Sequence, residues 1–283
     1  MSNETVPSDI GPGEIGPGEI VPSDIVLSVV TISYQDVAGL ARTLESVAEQ
    51  TYGRIEHIVV DGGSGQDVTD LLARANPSYW QSQPDGGRYD AMNQGIARAT
   101  GDVVWLMHSG DTFADPTSAA TGVRALGTGG DVRGRWGHGR VRIVGDPARD
   151  GTVWGYGPFD LRKFALGVRP IPHQATLFGV DLLDALGPYD TDFGLAADHL
   201  LMLEAAAVTS PVIIDDVLCD FDAGGAGSTR PQSEHYADVR RAWDAAGYYP
   251  FGNRRVASAY SRVLEHSARL KQLVRERGRR TPR

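Results

Sequence analysis

Residues 26–63 read VLSVVTISYQDVAGLARTLESVAEQTYGRIEHIVVDGG. The first nine form a β-branched, apolar run of strand length. Val37, Leu40, Leu44 and Val47 then recur at helical spacing. IEHIVVDGG returns to strand character. Outward from this unit, DVTDLLARA (67–75) predicts a helix and ATGDVVWLMHSGD (99–111) a third buried strand. Strands alternating with helices imply βαβ units and a mostly parallel sheet. Near-continuous apolar strands imply a sheet covered on both faces.

The second half has a different texture. Residues 133–157 are rich in Gly, Arg and Trp, and RVRIV and GTVWGY read as antiparallel strands or a hairpin. PHQATLFGVDLLDALG reads as strand then helix, ADHLLMLEAAA as a helix, and SPVIIDDVLCDFD as a final strand pair. Residues 6–25 form four pentapeptides, VPSDI, GPGEI, GPGEI and VPSDI. Proline at every fifth position forbids a helix, and the segment carries too little apolar material for a core. Three parts are therefore expected: an acidic, disordered tail over 1–25, a catalytic or binding domain over 26–253, and a basic amphipathic helix over 254–283.

Composition narrows the function. The 283 residues carry a formal charge of −9, which argues against nucleic acid as a partner. A chain of this length needs neither disulfide nor metal merely to fold. Cys219 is the single cysteine, which excludes a disulfide framework and any cysteine-based metal centre and fits a reducing compartment. No apolar run approaches the ~18 residues of a membrane span. The start shows neither a basic n-region nor an apolar h-region, so a cytoplasmic location is expected. In the C-terminal segment, Val256, Tyr260, Val263, Leu270 and Val274 share one helical face among many arginines. That face reads either as a peripheral anchor on the inner surface of the plasma membrane, or as a stripe packing on the catalytic domain or a second subunit.

In parallel sheets, ligands bind beyond the carboxyl ends of the strands. The polar residues there are Thr31, Ser33 and Tyr34 after the first strand, Asp61 after the second, and His108, Ser109 and Asp111 after the third. A dinucleotide site needs G-x-G-x-x-G, and a P-loop needs G-x-x-x-x-G-K-[ST]. Neither follows any of these strands.

SVVTISYQDVAGLARTLESVAEQTYGRIEHIVVDGGS, together with DGGRYDAMNQGIARATGD (85–102) and the HSGD after it, resembles the family 2 glycosyltransferases of the GT-A fold. The likeness runs from about Leu27 to Asp115 and continues more weakly through PHQATLF and LAADHLLMLEA to about Asp222. It implies a Rossmann-like, mostly parallel sheet with helices on both faces and a smaller antiparallel, acceptor-side portion. It also implies inverting transfer of a sugar from a nucleoside diphosphate donor to a hydroxyl on a glycan or glycolipid, of the kind that builds bacterial cell-envelope glycans.

The resemblance assigns roles residue by residue. Asp111 would hold Mg²⁺ or Mn²⁺ at the leaving diphosphate, although a helix N-cap also suits an Asp there. Gly110 stands where the family carries an acid, so ribose contacts would fall to Ser109 or to backbone groups. His108 reads as a metal ligand or as a hydrogen-bonded structural histidine. Asp61 would read the base, or would open an Asx-turn; Thr31, Ser33 and Tyr34 would line the base site. Asp85, Arg88, Asp90 and Asn93 would lie along the donor, with Asp90 also suited to a first helical turn. Asp198 would be the general base, or a helix-capping acid. His173, Gln174 and Trp154 would form the acceptor side. A non-catalytic nucleotide-sugar binding protein would explain the eroded acidic motif without catalysis; an interaction module would use the acidic repeats, with the fold as a carrier.

Overall fold

The computed structural model describes residues 24–127, 129–224 and 232–280. The tail expected over residues 1–25 lies almost wholly outside them. In chain order the strands and helices are β1 (Leu27–Ser33), α1 (Val37–Ala48), β2 (Ile55–Asp61), α2 (Gln66–Ala75), β3 (Tyr79–Ser82), α3 (Arg88–Ile96), β4 (Val103–His108) and β5 (Thr112–Phe113). They continue with α4 (Ser118–Leu126), β6 (Trp136–Val144), β7 (Val153–Trp154), α5 (Leu161–Ala165), β8 (Thr176–Gly179), α6 (Val180–Leu186), α7 (Ala197–Val208), β9 (Val212–Asp222), α8 (Gln232–Ala246) and α9 (Arg254–Arg280).

All seven residues of β1 are buried, Ser28, Thr31 and Ser33 included, as befits a central strand covered on both faces. Alternation sends Leu27 and Val29 into one core cluster and Val30 and Ile32 into another. Helix α1 starts where the Asp36 carboxylate accepts the Gly39 N–H at 2.9 Å. It buries the face carrying Leu40, Thr43, Leu44 and Val47.

The sheet order is β3-β2-β1-β4-β8-β6-β9-β5, with β7 paired to β6. Strands β1, β2, β3 and β4 are mutually parallel. Strand β8 runs antiparallel to both β4 and β6, so β6 points the same way as β4. Strand β9 is parallel to β6 and shares that direction. This is the expected α/β sheet, mostly parallel, with an antiparallel portion built by β5, β7 and β8. The RVRIV–GTVWGY hairpin forms, with Val141 opposite Trp154. The expected final strand pair is instead one eleven-residue strand, β9. Its irregular register against His138–Val141 lets it run on unbroken to Asp222.

Helix α9 packs on α8 through fully buried Ala257 and Ser261, and Arg240 of α8 bonds Ser261 and Glu265. The face with Val256, Tyr260, Val263 and Leu270 points outward, with those residues 47–62% exposed. Small Ala257 and Ser261 make the closely packed face instead, and of the outward residues Tyr260 meets the Phe251 ring edge-to-face, with centroids 5.3 Å apart. The side chain of Val274 lies outside the described residues. Among the described residues, no helix is long and apolar enough to cross a membrane.

Candidate active site

Strand direction assembles the site. The common direction of β1, β2, β4 and β9 puts Ser33, Asp61, His108 and Asp222 on one edge of the sheet. Reversed β8 brings the residues just before it, His173 and Gln174, back to the same edge.

The H-S-G-D segment is a turn clamped by α1. The Gly110 N–H donates to Thr43 Oγ at 3.0 Å, and that hydroxyl donates to the Asp111 carbonyl at 2.7 Å. The Asp111 N–H reaches the His108 carbonyl at 3.1 Å. Asp111 is 2% exposed and leads into β5, not into a helix, so it is no N-cap. Its Oδ1 accepts the Asp222 N–H at 2.9 Å, and its buried Oδ2 has no partner. Burial pushes the Asp111 carboxyl up to about 8, against two backbone hydrogen bonds and with help from the Asp222 charge.

A second group lies along the same edge. His173 Nε2 and Tyr189 Oη are 2.7 Å apart, both buried. The His108 ring centroid is 6.2 Å from that of His173. Burial drives His108 down to about 3, with His173 and Arg88 adding to the effect. Burial also lowers His173, opposed by the Asp198 charge and reinforced by Arg88. The phenol of Tyr189 is raised by burial and then by Asp198. Arg88, His108, His173, Tyr189 and Asp198 thus act on one another. Asp198 sits in the first turn of α7, half-buried, with Oδ1 accepting the His199 N–H at 2.7 Å.

The donor-side loops also meet. A Cβ on Gly62 would lie 2.9 Å from the Tyr34 ring and 3.2 Å from the Asp85 carboxylate, so the first, second and third loops converge there. Tyr34 is 64% exposed, as a stacking platform would be. Ser109 is half-buried beside these loops, its N–H held by the Ile32 carbonyl.

Several expected donor residues have other work. Thr31 is completely buried and its hydroxyl pairs with His57 Nε2 at 2.9 Å, which leaves only its backbone for a base site. The Ser33 hydroxyl is buried as well. The Asp61 carboxylate accepts from the N–H groups of Gly63 and Ser64 and from the hydroxyls of Ser64 and Ser82. It builds the Asx-turn, and reading a base would require it to release part of that turn. Asp90 caps the turn into α3 by accepting from the Gly86 N–H, and it also holds Gln94. Both ends of the Asn93 amide grip the Tyr189 backbone, at 2.8 and 2.9 Å, so Asn93 ties α3 to the Tyr189 loop and does not face a donor. Of the expected acceptor-side residues, Gln174 is buried, and its backbone carbonyl accepts the Trp105 indole N–H at 2.7 Å. Trp154 is half-buried against the second core cluster, opposite Val141 in the hairpin.

Tyr189 and Asp222 went unread in the sequence. A last strand ending in D-F-D was the available signal for Asp222. Tyr189 needed the long-range contact with His173.

Among the described residues, no three His, Cys, Asp or Glu side chains converge as a metal cage. Mg²⁺ at phosphates relies on one or two carboxylates plus the phosphate oxygens themselves. A buried carboxylate oxygen without a partner, at the end of β4, fits that demand.

The glycosyl transferase family 2 model matches residues 28–140. An uncharacterized glycosyltransferase of Mycobacterium tuberculosis is 51% identical over 241 residues, covering 84% of this chain and 90% of that protein. A PGL/p-HBAD biosynthesis glycosyltransferase of Mycobacterium bovis BCG is 31% identical over 169 residues, covering 57% of this chain and 62% of that one. Among solved structures, the mannosyltransferase PcManGT of Pyrobaculum calidifontis, in complex with GDP-Man and Mn²⁺, aligns with a TM-score of 0.59 at 18% identity, over 90% of this chain and 74% of that one. Residues 1–349 of S. aureus TarS, in complex with UDP, align with a TM-score of 0.57 at 16% identity, over 78% and 65%. The chain spans only 39% of the longer TarS structure. At these identities the structures establish the GT-A-like fold.

Proposed function

The chain belongs to glycosyl transferase family 2, and on that premise we propose an inverting transfer from a nucleoside diphosphate sugar to a hydroxyl of a glycan or glycolipid. The observation that carries this reading is the shared sheet edge. The unpartnered Asp111 Oδ2 and the Arg88–His108–His173–Asp198 group both lie along it. PcManGT with GDP-Man and Mn²⁺, and TarS with UDP, support a nucleotide-sugar donor and a divalent cation.

The roles divide by chemistry. Tyr34 and the Asp85 loop would receive the nucleotide, with Ser109 near the ribose. Asp111 would hold Mg²⁺ or Mn²⁺, and the cation would neutralise the leaving diphosphate. Arg88 adds fixed positive charge beside it. Asp198 takes the proton from the acceptor hydroxyl as that oxygen attacks the anomeric carbon. Burial keeps His173 neutral, and its contact with Tyr189 fixes the wall beside Asp198. The outward stripe on α9, set among exposed Arg255, Arg262 and Arg269, supports peripheral attachment to an anionic membrane surface, where a lipid-linked acceptor would be presented. The M. bovis BCG relative, named for PGL/p-HBAD biosynthesis, supports an envelope acceptor.

A thermal-shift panel of UDP, GDP and dTDP, each with Mn²⁺, tests the donor assignment. One nucleotide at a hundredfold excess over its Kd adds ~2.7 kcal/mol. For a chain of this size that is a rise in Tm of roughly 5 °C or more. No shift with any of the three would remove the nucleotide-sugar reading.

A further inference from the structure

Gly110 stands where an acid was expected, and the structure shows what occupies the space. Its φ of +97° is a left-handed conformation that favours glycine. A Cβ built there would come within 3.0 Å of Asp222 Oδ2. A carboxylate is therefore present beside residue 110, supplied by the end of β9 and not by the H-S-G-D segment. Asp222 is also fastened to Asp111, because its N–H donates to Asp111 Oδ1 at 2.9 Å. The other oxygen of Asp111 is buried and unpartnered. The two carboxyl groups lie close enough that the charge of Asp222 acts on Asp111.

The Asp222 carboxylate already has a cation. Arg42 Nη2 lies 2.8 Å from Oδ2, and the Gly224 N–H donates to Oδ1 at 2.8 Å. The Arg42 side chain is 53% exposed and that of Asp222 is 31% exposed. Such exposed ion pairs are weak, so a divalent ion competes with Arg42 on favourable terms. Arg42 precedes Thr43, the residue that clamps the backbone of Gly110 and Asp111. Both carboxylates and their counter-ion thus hang on one turn of α1.

We propose that Asp222 is the second carboxylate of the cation site, replacing in space the acid absent at Gly110, and that Arg42 neutralises it until the cation and diphosphate arrive. This rests on the metal-assisted reading above. Two carboxylates plus phosphate oxygens and water make an ordinary oxygen site for Mg²⁺ or Mn²⁺. No covalent step is involved; the guanidinium moves aside as the ion enters.

The test is Mn²⁺ binding by the full chain, read from loss of the free-ion electron paramagnetic resonance signal, in the presence of UDP or GDP. Asp222→Asn keeps an oxygen for the Gly224 N–H while removing the charge. It is expected to weaken Mn²⁺ binding by about tenfold or more, with the protein still folded by circular dichroism. Arg42→Gln frees the carboxylate and is expected to bind Mn²⁺ at least as tightly as the wild type. If Asp111→Asn loses Mn²⁺ while Asp222→Asn keeps wild-type affinity, the inference fails and the one-carboxylate site stands. If Arg42→Gln binds tenfold more weakly, Arg42 supports the site and does not compete for it, which overturns the exchange. If the wild type binds no Mn²⁺ with either nucleotide, the metal-assisted reading falls and takes the inference with it.

Discussion

Replacing Asp198 by Asn is expected to lower sugar transfer by about 10³-fold, within the 10²–10⁴ that a positioned general base contributes. Affinity for the nucleotide donor should stay within a few fold. Asparagine keeps the oxygen that accepts the His199 N–H, so the first turn of α7 survives. What it removes is the group able to take a proton. The donor loops around Tyr34, Gly62 and Asp85 come from different elements, which is why binding should be spared. The check is a transfer assay beside a nucleotide titration on the same preparation. Near-normal turnover would move the base to another residue.

Asp111→Asn should have two effects of opposite sign. Activity should fall by roughly 10²-fold or more, the scale of losing an oxygen ligand that stabilises transition-state charge. The ligand-free protein, in contrast, should become more stable at neutral pH. In the folded chain the Asp111 carboxyl keeps its proton up to about 8; in the unfolded chain it releases it near 3.8. Between those values folding takes up a proton, so stability falls as pH rises and the loss is complete above about 8. Asparagine does not titrate and escapes this cost. Its Tm should exceed that of the wild type by at least roughly 3 °C at pH 8, and the gap should close as pH falls towards 4. A bound cation replaces the same proton, so Mn²⁺ affinity in the wild type should climb with pH over that range. A pH-independent Tm difference would mean that Asp111 is already ionised in the folded state.

The parallel half of the fold was legible because its signals are local. The run from Leu27 to Ser33 carries Leu27 and Val29 on one face and Val30 and Ile32 on the other, and a strand with apolar residues towards both sides belongs at the centre of a sheet. The three polar strand ends followed from direction alone. What remained hidden depended on contacts distant in sequence. Strand β3, YWQS, is half-buried throughout and carries no clear period. Helix α8 has a diffuse polar pattern and gave no clear start signal. Thr31 looked like a strand-end ligand until His57 of β2 reached it, and Asn93 looked like a donor residue until Tyr189 closed on it. Asp222 stayed invisible because its meaning lies in the space beside Gly110, a hundred residues earlier. Resemblance assigned Asp111, Arg88, His173 and Asp198 by motif, and the folded chain brings those four to one edge.

The most direct test of an inverting, Asp198-dependent transfer is the configuration of the first product. Wild-type protein, Mn²⁺ and the α-linked donor of whichever nucleotide raises the Tm, with water as the acceptor hydroxyl, are followed by proton NMR in the first minutes, before the released sugar's anomers equilibrate. The expected result is a new β-anomeric signal that is absent with Asp198→Asn. An α-anomeric product, or an equal β signal from the variant, would contradict the mechanism.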